Sequence, residues 1–448
     1  MVTDNPEKYQ VVVIGAGPAG LFAARHLALQ DVHVVLLNRD IKPGGLAEYG
    51  IYHTKYKMKE GLRKQFRQIL GLPGIDYFGN VSVGKTSGIS LEDLHKMGFQ
   101  ATLVTVGAQG TKWLGLSGED LEGVYHAKDI VYHYNKLPPQ STHDFKIGKR
   151  VAVVGVGNVM MDIAHWLIRE KQVNEVVAVA RRGPAEVKFS KKEMENIARN
   201  LDLDHLDREF ERVKPIMLAI GQDAHAARDF ILSALPKALE PVTQARFRLD
   251  FLASPTRILG DQEGRVCGLE VEDTTLVPQN GDTKARGLGT KRVLDVDTVI
   301  FCIGDRVDDE FGLPVQWNEF VKNPNPVYPI NGLSYEAYDP QRGQPIEGVF
   351  VAGWSREASS GLVGVARKDG ENGATALLQY LKGKTTNVNE AQLNQELQSK
   401  LQSLGRSVIT KDQVWKLEAF ERREAERLEL EDFKLKTNAE MLDIIGSA

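Results

Sequence analysis

The chain of 448 residues repeats one supersecondary pattern, and this repeat constrains the fold more than any other feature. The first copy has an apolar run that ends in glycines, a segment with helical spacing and a second apolar run, at Gln10–Ile14, Leu21–Gln30 and Val32–Leu37. The second copy has the same order, at Arg150–Val154, Val159–Glu170 and Glu175–Ala180. Because a strand, a glycine turn, a helix and a strand open a Rossmann unit, the sequence predicts an α/β protein with two Rossmann-like nucleotide-binding domains.

The first glycine turn has a complete G-x-G-x-x-G pattern. Gly15 allows the tight turn, Gly17 lets the backbone approach a pyrophosphate, and Gly20 permits close packing of helix and strand. The pyrophosphate would lie at the helix N-terminus, where N–H groups and the helix dipole favour negative charge. The second strand is followed by Asn38, where an acidic residue usually binds the ribose. We expect the Asn38 amide to accept the ribose hydrogen bond, with Asp40 as the alternative.

The second glycine turn is incomplete, because Met160 follows Gly155 and Gly157 where the third glycine is expected. Its second strand leads into Arg181 and Arg182 and carries no acidic residue for a ribose hydroxyl. Two guanidinium groups suit a doubly charged 2'-phosphate, which they bind through forked hydrogen bonds. The pattern therefore predicts NADP rather than NAD; the alternative is a solvated basic turn.

The charge and the cysteine content of the chain disfavour several classes of function. The formal net charge of −4 gives no reason to expect nucleic acid or an anionic membrane as a partner. The two cysteines, Cys267 and Cys302, form no C-x-x-C pair, which disfavours disulfide-reductase chemistry and excludes a four-cysteine metal or iron–sulfur site. We expect both cysteines in the core and no metal site. The sequence has no signal-peptide pattern and no apolar run of about 18 residues, so we expect a cytoplasmic protein.

The first domain is expected to be interrupted by the second. Apolar runs at Ala101–Gly107 and Asp297–Gly304 end in glycines, as strands do beside a bound nucleotide. We predict that residues 1–108 and 331–385 form the first domain, that residues 109–330 form the inserted second domain, and that residues 386–448 form a helical tail. The tail helix, at Asp412–Asp432, is expected to be a solvated cap or a partner contact. The segment Val277–Gly289 is expected to be a hairpin tip or a loop.

Together, these motifs resemble the adrenodoxin-reductase type of ferredoxin–NADP reductase. They are GAGPAG, PGGLAEYG, TVGAQ, GNVMMD, RRGP and a Gly-Trp pair, at Gly15–Gly20, Pro43–Gly50, Thr105–Gln109, Gly157–Asp162, Arg181–Pro184 and Gly353–Trp354. The resemblance covers almost the whole chain. It implies a non-covalent FAD in the first domain, NADPH as hydride donor, and a one-electron iron–sulfur protein as acceptor. We expect the partner to be a ferredoxin-like or flavodoxin-like electron carrier. A flavin can bridge two-electron and one-electron chemistry, so no protein nucleophile or general base is required.

The resemblance also implies site residues. FAD would contact Gly15, Gly17, Ala19, Gly20, Asn38, Gly45, Leu46, Val83, Trp354, Gly361, Leu362 and Val363. Among these, Trp354 would lie beside the flavin, and the amides of Gly361, Leu362 and Val363 would face its ring. NADP would contact Val156, Gly157, Asn158 and Val159 through its pyrophosphate, Arg181, Arg182 and Glu193 through its adenosine phosphate, and Gly361 near its nicotinamide.

Two further groups of residues are candidates for a functional role. The first group departs from the family pattern, and the second is a basic group. The family usually has a histidine where this chain has Lys55, and His53 lies two residues earlier. His53 and Lys55 are candidates for tuning the flavin or acceptor docking; a packed or solvated role is the alternative. Acceptor docking would use basic residues, with candidates at Lys188, Lys191, Lys192, Arg208 and Arg212, unless this charge run is a solvated face.

Two other functions stay open beside an NADPH-dependent FAD oxidoreductase. The first is the NADPH-oxidising subunit of a glutamate-synthase-like complex. Such chains carry an N-terminal cysteine-rich iron–sulfur domain, and this sequence lacks those cysteines. The second is a flavin-binding regulator with reduced turnover, which would fit Asn38, Met160 and the displaced histidine.

Overall fold

The computed structural model describes residues 8–279, 281–358, 362–385 and 388–446. The chain divides into two compact units. The first comprises Met1–Thr111, Tyr132–Thr142 and Gly304–Ala448, and the second comprises Lys112–Val131 and His143–Ile303. The borders predicted after residues 108, 330 and 385 divide the chain by nucleotide binding and not by compactness. These borders stay a prediction.

The strands are numbered in chain order. They are β1 (Gln10–Ile14), β2 (His33–Leu37), β3 (Ile75–Gly79), β4 (Ala101–Val104), β5 (Gly110–Thr111), β6 (Val124–His126), β7 (Arg150–Val154), β8 (Glu175–Val179), β9 (Arg246–Asp250), β10 (Ala253–Gly260), β11 (Val266–Gln279), β12 (Asp282–Leu294), β13 (Thr298–Phe301), β14 (Asp305–Arg306), β15 (Val315–Gln316), β16 (Glu319–Phe320), β17 (Glu336–Asp339), β18 (Gln344–Val351) and β19 (Ile409–Thr410).

The α-helices are numbered in the same way. They are α1 (Pro18–Ala28), α2 (Leu46–Tyr49), α3 (Tyr56–Leu70), α4 (Leu91–Lys96), α5 (Ala127–Tyr134), α6 (Asn158–Arg169), α7 (Lys191–Met194), α8 (Leu203–Ala219), α9 (Ala224–Leu232), α10 (Val363–Leu381), α11 (Glu390–Ser403), α12 (Lys411–Arg427) and α13 (Asn438–Gly446). Short 3₁₀ turns connect several of these elements.

The first unit is built on a seven-stranded sheet in the order β17-β18-β4-β1-β2-β3-β19. Its five central strands are parallel, and β17 and β19 pair antiparallel at the two edges. All five residues of β1 are buried. A parallel strand covered by helices on both faces needs such a continuous apolar sequence. The sheet thus brings the carboxyl ends of β1, β2 and β4 to one edge, where the first glycine turn begins.

The second unit contains a five-stranded parallel sheet in the order β6-β13-β7-β8-β9. A separate antiparallel sheet of β10, β11 and β12 accompanies it. The strands β11 and β12 form a long hairpin, which confirms the hairpin expected around residues 277–289. Both units have the parallel α/β sheet that the repeated pattern predicted.

The C-terminal tail packs on the core of the first unit. Helix α12 ends five residues before the predicted Asp432. Its buried side chains Val414, Leu417, Glu421 and Ala425 recur with helical spacing along one face. Val414 and Leu417 belong to the same apolar cluster as Val11 of β1. The predicted helical tail is therefore present, and one face of it is buried.

The cysteines differ from the expectation that both lie in the core. Cys267 is exposed and Cys302 is half-buried. Cys267 lies on β11, where the flanking Val266 and Gly268 are buried, so alternation along the strand directs its side chain to the open face. Among the described residues, no helix has the length and apolar character required to cross a membrane.

Candidate functional site

The first glycine turn has the close contacts that its three glycines predict. Gly15 has a φ of +103°, and a Cβ there would lie 2.6 Å from the carbonyl oxygen of Thr105. A Cβ at Gly20 would lie 1.9 Å from the carbonyl oxygen of Gly15. At Gly17, the N-cap of α1, a Cβ would meet no heavy atom of the described residues within 4 Å. The turn is thus closed towards the sheet and open at the helix N-terminus, where a pyrophosphate would bind.

Asn38 is buried beside this turn and makes four hydrogen bonds within the protein. Its side-chain oxygen accepts the Ala16 N–H at 3.0 Å. Its side-chain nitrogen donates to the carbonyl oxygens of Asp40 and Lys42, at 2.8 and 3.0 Å, and to the Tyr77 hydroxyl at 3.2 Å. Asn38 therefore ties the glycine turn to the loop after β2. The expected hydrogen bond to a ribose stays a prediction.

The segment after this loop returns to the glycine turn. Gly44 and Gly45 have φ angles of +115° and +49°. The Gly44 N–H donates to the Ala16 carbonyl at 2.7 Å, and a Cβ at Gly45 would lie 3.0 Å from Cα of Gly17. Leu46 starts α2 immediately afterwards. The structure thus brings the predicted FAD contacts Gly17, Gly45 and Leu46 together.

Two further predicted FAD contacts lie in the same unit. Ala19 is buried on α1, and its Cβ lies 2.6 Å from the position of a Cβ at Gly353. Val83 is half-buried and forms an isolated parallel bridge with Ile89. Ala19 therefore adjoins the segment that carries Trp354, whereas Val83 lies beyond β3.

A buried ionic network stabilises α2 and the loop before it. The sequence motifs did not reveal this network. The Glu48 carboxylate forms ion pairs with Arg63 and Lys434, both at 2.6 Å. Lys42 pairs with Glu421 of α12, and both side chains are almost fully buried. Burial by itself raises the pKa of Glu48, but Lys434, Lys42 and Arg63 hold that pKa well below its ordinary value. The tail thus supplies charges that keep the PGGLAEYG segment in place.

The segment with Trp354 is held by Asp369 of α10. The Asp369 carboxylate accepts the Gly353 N–H at 2.6 Å, the Tyr335 hydroxyl at 2.9 Å and the Arg356 guanidinium at 2.7 Å. Gly353 has a φ of +66°, and Trp354 lies in the 3₁₀ turn Gly353–Ser355. No motif singled out Asp369, because its partners lie between 13 and 34 positions away.

The predicted flavin-facing amides lie at the start of α10. Leu362 is the N-cap of this helix and is exposed, and Val363 is its first residue. Gly361, predicted for both FAD and NADP, lies outside the described residues. The first unit therefore places two of the three amides next to a helix N-terminus.

His53 and Lys55 form one 3₁₀ turn of the first unit. The His53 ring centroid lies 4.5 Å from that of the buried Tyr52 and 6.2 Å from that of Tyr134. Nearby, the buried Lys59 ammonium donates to the side-chain oxygen of Asn135. Burial, together with the charge of Lys434, lowers the pKa of Lys59 to about 7. Any role of His53 or Lys55 in catalysis stays a prediction.

The second glycine turn repeats the geometry of the first, within its own unit. Gly155 has a φ of +125°, and a Cβ there would lie 2.4 Å from the carbonyl oxygen of Cys302. Gly157 is the N-cap of α6, and a Cβ there would meet no described heavy atom within 4 Å. Met160 is fully buried. Met160 therefore fills core space where the first turn has Gly20.

The residues around this turn join the loop after β8. The Asn158 side-chain oxygen accepts the Ser190 N–H at 2.8 Å, and the Lys188 N–H donates to the Val156 carbonyl at 2.8 Å. Val159 is exposed on the first turn of α6. Glu193 lies in the first turn of α7, which Ser190 caps. The structure thus joins Val156–Val159 to the segment that leads into α7, where Glu193 lies.

The two arginines follow the end of β8 after one residue, Ala180. Arg181 is exposed, and Arg182 is partly buried and pairs with Asp282 at 3.3 Å.

In the basic group considered for acceptor docking, Arg212 donates to Glu209 and to the Phe251 carbonyl, both at 2.6 Å. Arg212 is therefore engaged within the protein.

Metal binding has no candidate cluster in the part of the chain that the structure describes. Groups of at least three His, Cys, Asp or Glu side chains with suitable geometry are absent there.

Comparisons with known proteins show what this chain is similar to. A family model described as "Pyridine nucleotide-disulphide oxidoreductase" matches residues 9–204. NADPH-ferredoxin reductase FprA of Mycobacterium leprae is 29% identical over 412 residues, which cover 84% of each chain. The mitochondrial NADPH:adrenodoxin oxidoreductase of Salvelinus fontinalis is 27% identical over 413 residues, which cover 84% of this chain and 78% of that relative.

A solved structure shows the same fold over nearly the whole length. The structure of Mycobacterium tuberculosis FprA in complex with NADPH aligns with a TM-score of 0.79 and 25% identity, covering 98% of this chain and 99% of that chain. The resemblance to the adrenodoxin-reductase type of ferredoxin–NADP reductase, which the motifs indicated, is therefore confirmed, and this chain is similar to those enzymes over most of its length.

Proposed function

We propose that the protein is an FAD-containing oxidoreductase that passes electrons between NADP(H) and a one-electron iron–sulfur carrier. The observation that carries this proposal is the pair of glycine turns, one in each unit, of which only the second is followed by two arginines. The relatives are named as NADPH-ferredoxin and NADPH:adrenodoxin reductases, which supports the same activity.

The first unit fits FAD. Its glycine turn leaves the N-terminus of α1 open for a pyrophosphate, and a side chain at Gly15 or Gly20 would collide with backbone atoms. Asn38 fixes the turn, and Asp369 fixes the segment with Trp354. When bound, FAD supplies the conversion between two-electron and one-electron transfer. The residues of this unit bind and orient the cofactor; none of them has to act as a nucleophile.

The second unit fits NADP(H). Its turn repeats the open helix N-terminus at Gly157, and Arg181 and Arg182 supply positive charge for a 2'-phosphate. The proposed roles of Val156–Val159 and Glu193 rest on the hydrogen bonds that join this turn to the segment leading into α7.

We also propose the class of the electron carrier and the cellular location of the protein. The relatives' names favour a ferredoxin-like protein as acceptor, and a flavodoxin-like carrier is the alternative within the same one-electron chemistry. A cytoplasmic location is proposed from the sequence pattern alone and is checked by cell fractionation.

Anaerobic stopped-flow mixing tests the function. The FAD-loaded full-length protein should lose its flavin absorbance rapidly with NADPH and more slowly with NADH, and an oxidised ferredoxin should then restore it. A protein that is not bleached by NADPH would contradict the proposal. Turnover with ferricyanide but with no ferredoxin or flavodoxin would favour the subunit of a larger complex. Absence of turnover with ferricyanide would favour the regulator.

A further inference from the structure

The β11–β12 hairpin extends beyond its own sheet. Strand β10 pairs with β11 only as far as Asp273, whereas β12 pairs with β11 out to Gln279 and Asp282. We call the part beyond β10, residues 274–279 and 282–287, the distal arm. Because an isolated two-stranded ribbon is at best marginally stable, the distal arm needs contacts elsewhere.

Those contacts are made with the residues that follow β8. The Thr274 hydroxyl donates to the Arg181 carbonyl at 2.8 Å, and the Thr283 hydroxyl donates to the Glu186 carboxylate at 2.7 Å. Leu276 approaches the backbone of Gly183, where a Cβ would lie 3.3 Å from a Leu276 methyl. The distal arm therefore lies along the segment in which the 2'-phosphate of NADP is proposed to bind.

One carboxylate of the distal arm faces this segment. Asp282 pairs with Arg182 at 3.3 Å, and its side chain is 78% exposed. The Thr283 N–H and the charges of Arg182 and Lys188 lower the pKa of Asp282, so this carboxylate is ionised at neutral pH. Arg182 thus already has an anionic partner within the protein, in the place where a 2'-phosphate would need one.

We propose that Asp282 is a specificity-determining residue that competes with the 2'-phosphate of NADP(H) for Arg182. A 2'-phosphate displaces the carboxylate from the guanidinium, whereas a nucleotide without this group leaves the pair intact. Asp282 thereby weakens NADP(H) binding without weakening the binding of the adenosine moiety. The inference rests on the proposed NADP site in the second unit.

Calorimetric titration of the FAD-loaded full-length protein with 2',5'-ADP and with 5'-AMP tests the inference. Asp282→Asn keeps the side-chain oxygen that accepts the Thr283 N–H and removes the charge. An exposed ion pair is worth little, so we expect 2',5'-ADP to bind about two- to fivefold more tightly, with 5'-AMP unchanged. The matched control is Asp261→Asn, which removes a carboxylate paired with Arg265 in the β10–β11 turn and should change neither affinity.

A double-mutant cycle identifies the partner. In an Arg182→Gln background, Asp282→Asn should no longer tighten 2',5'-ADP binding, because the competition has been removed. An unchanged affinity in Asp282→Asn, an equal gain in Asp261→Asn or a gain that persists in Arg182→Gln would each overturn the inference while leaving the proposed function standing. A wild-type protein that binds 2',5'-ADP no better than 5'-AMP would overturn both.

Discussion

The side-chain oxygen of Asn38 accepts the backbone N–H of Ala16 at 3.0 Å, which fixes the first glycine turn to the end of β2. The Asn38 amide nitrogen faces three acceptors, namely the carbonyl oxygens of Asp40 and Lys42 and the hydroxyl of Tyr77. The structural need at this position is therefore for a donor and an acceptor on one buried side chain. An acidic residue provides only the acceptor.

Asn38→Asp should destabilise the protein. The substitution leaves buried acceptors without a donor and buries a charge, and each orphaned group costs about 1–3 kcal/mol. The free energy of unfolding, measured in urea without FAD, should fall by that order. The control is Asn389→Asp at the N-cap of α11, where aspartate caps equally well. Tighter FAD binding in a stable Asn38→Asp protein would instead support a ribose contact.

Gly370→Ala should loosen the packing of α1 against α10. A Cβ at Gly370 would lie 2.1 Å from the carbonyl oxygen of Ala19, which is backbone and cannot yield. Alanine normally favours a helix interior over glycine by about 1 kcal/mol, so a loss of stability isolates the clash. We expect a lower melting temperature and weaker FAD retention.

The control for this substitution is Gly61→Ala in α3. At Gly61, no described heavy atom lies within 4 Å of the added Cβ, so the propensity gain of about 1 kcal/mol should appear unopposed. Equal effects at the two glycines would show that α1 and α10 do not require this close approach.

The strands of the sheets could be predicted from the sequence more fully than the contacts of the candidate site. Strands β1 and β7 have the bounds that their apolar runs indicated, because a strand buried on both faces has a continuous apolar sequence. The glycine turns were likewise predictable, since their conformation depends on local residues.

Long-range contacts were not predictable in this way. Lys434 meets Glu48 across 386 positions, and neither residue belongs to a local charge pattern. Asn38 matched the position of a ribose-binding acid, yet its geometry in the structure is set by Ala16 and Tyr77. Such roles depend on which distant segments meet, and a single sequence does not reveal this.

Lys59→Met should change how stability depends on pH. Burial and Lys434 lower the pKa of Lys59 from 10.5 to about 7, so between these values the unfolded chain binds more protons than the folded one. The contribution of Lys59 to the free energy of unfolding of the wild type therefore rises with pH in this window. The free energy of unfolding of Lys59→Met, relative to that of the wild type, should therefore fall by about 1.4 kcal/mol per pH unit in this window.

Urea unfolding of both proteins across this pH range measures the effect. Loss of the hydrogen bond to Asn135 shifts the variant by a constant amount and does not alter the slope. Lys57→Met on the exposed face of the same helix controls for removal of a lysine. Parallel stability curves for wild type and Lys59→Met would contradict a lowered pKa at Lys59.

Replacing both Arg181 and Arg182 with alanine should reduce the preference for NADPH. Each charge-assisted hydrogen bond contributes about 1.5–3 kcal/mol, so the KM for NADPH should rise tenfold or more while that for NADH changes little. Steady-state ferricyanide reduction with each nucleotide measures both constants. Arg199→Ala, which removes an exposed arginine elsewhere in the same unit, controls for net charge.

The two single variants separate the roles of the arginines. Arg182 must exchange Asp282 for the phosphate, whereas Arg181 is exposed, so Arg181→Ala should cost more NADPH affinity than Arg182→Ala. Replacing Asp282 with asparagine should reduce this difference, because Arg182 then binds the phosphate without competition. Equal losses for NADPH and NADH in the double variant would show that the arginines do not recognise a 2'-phosphate.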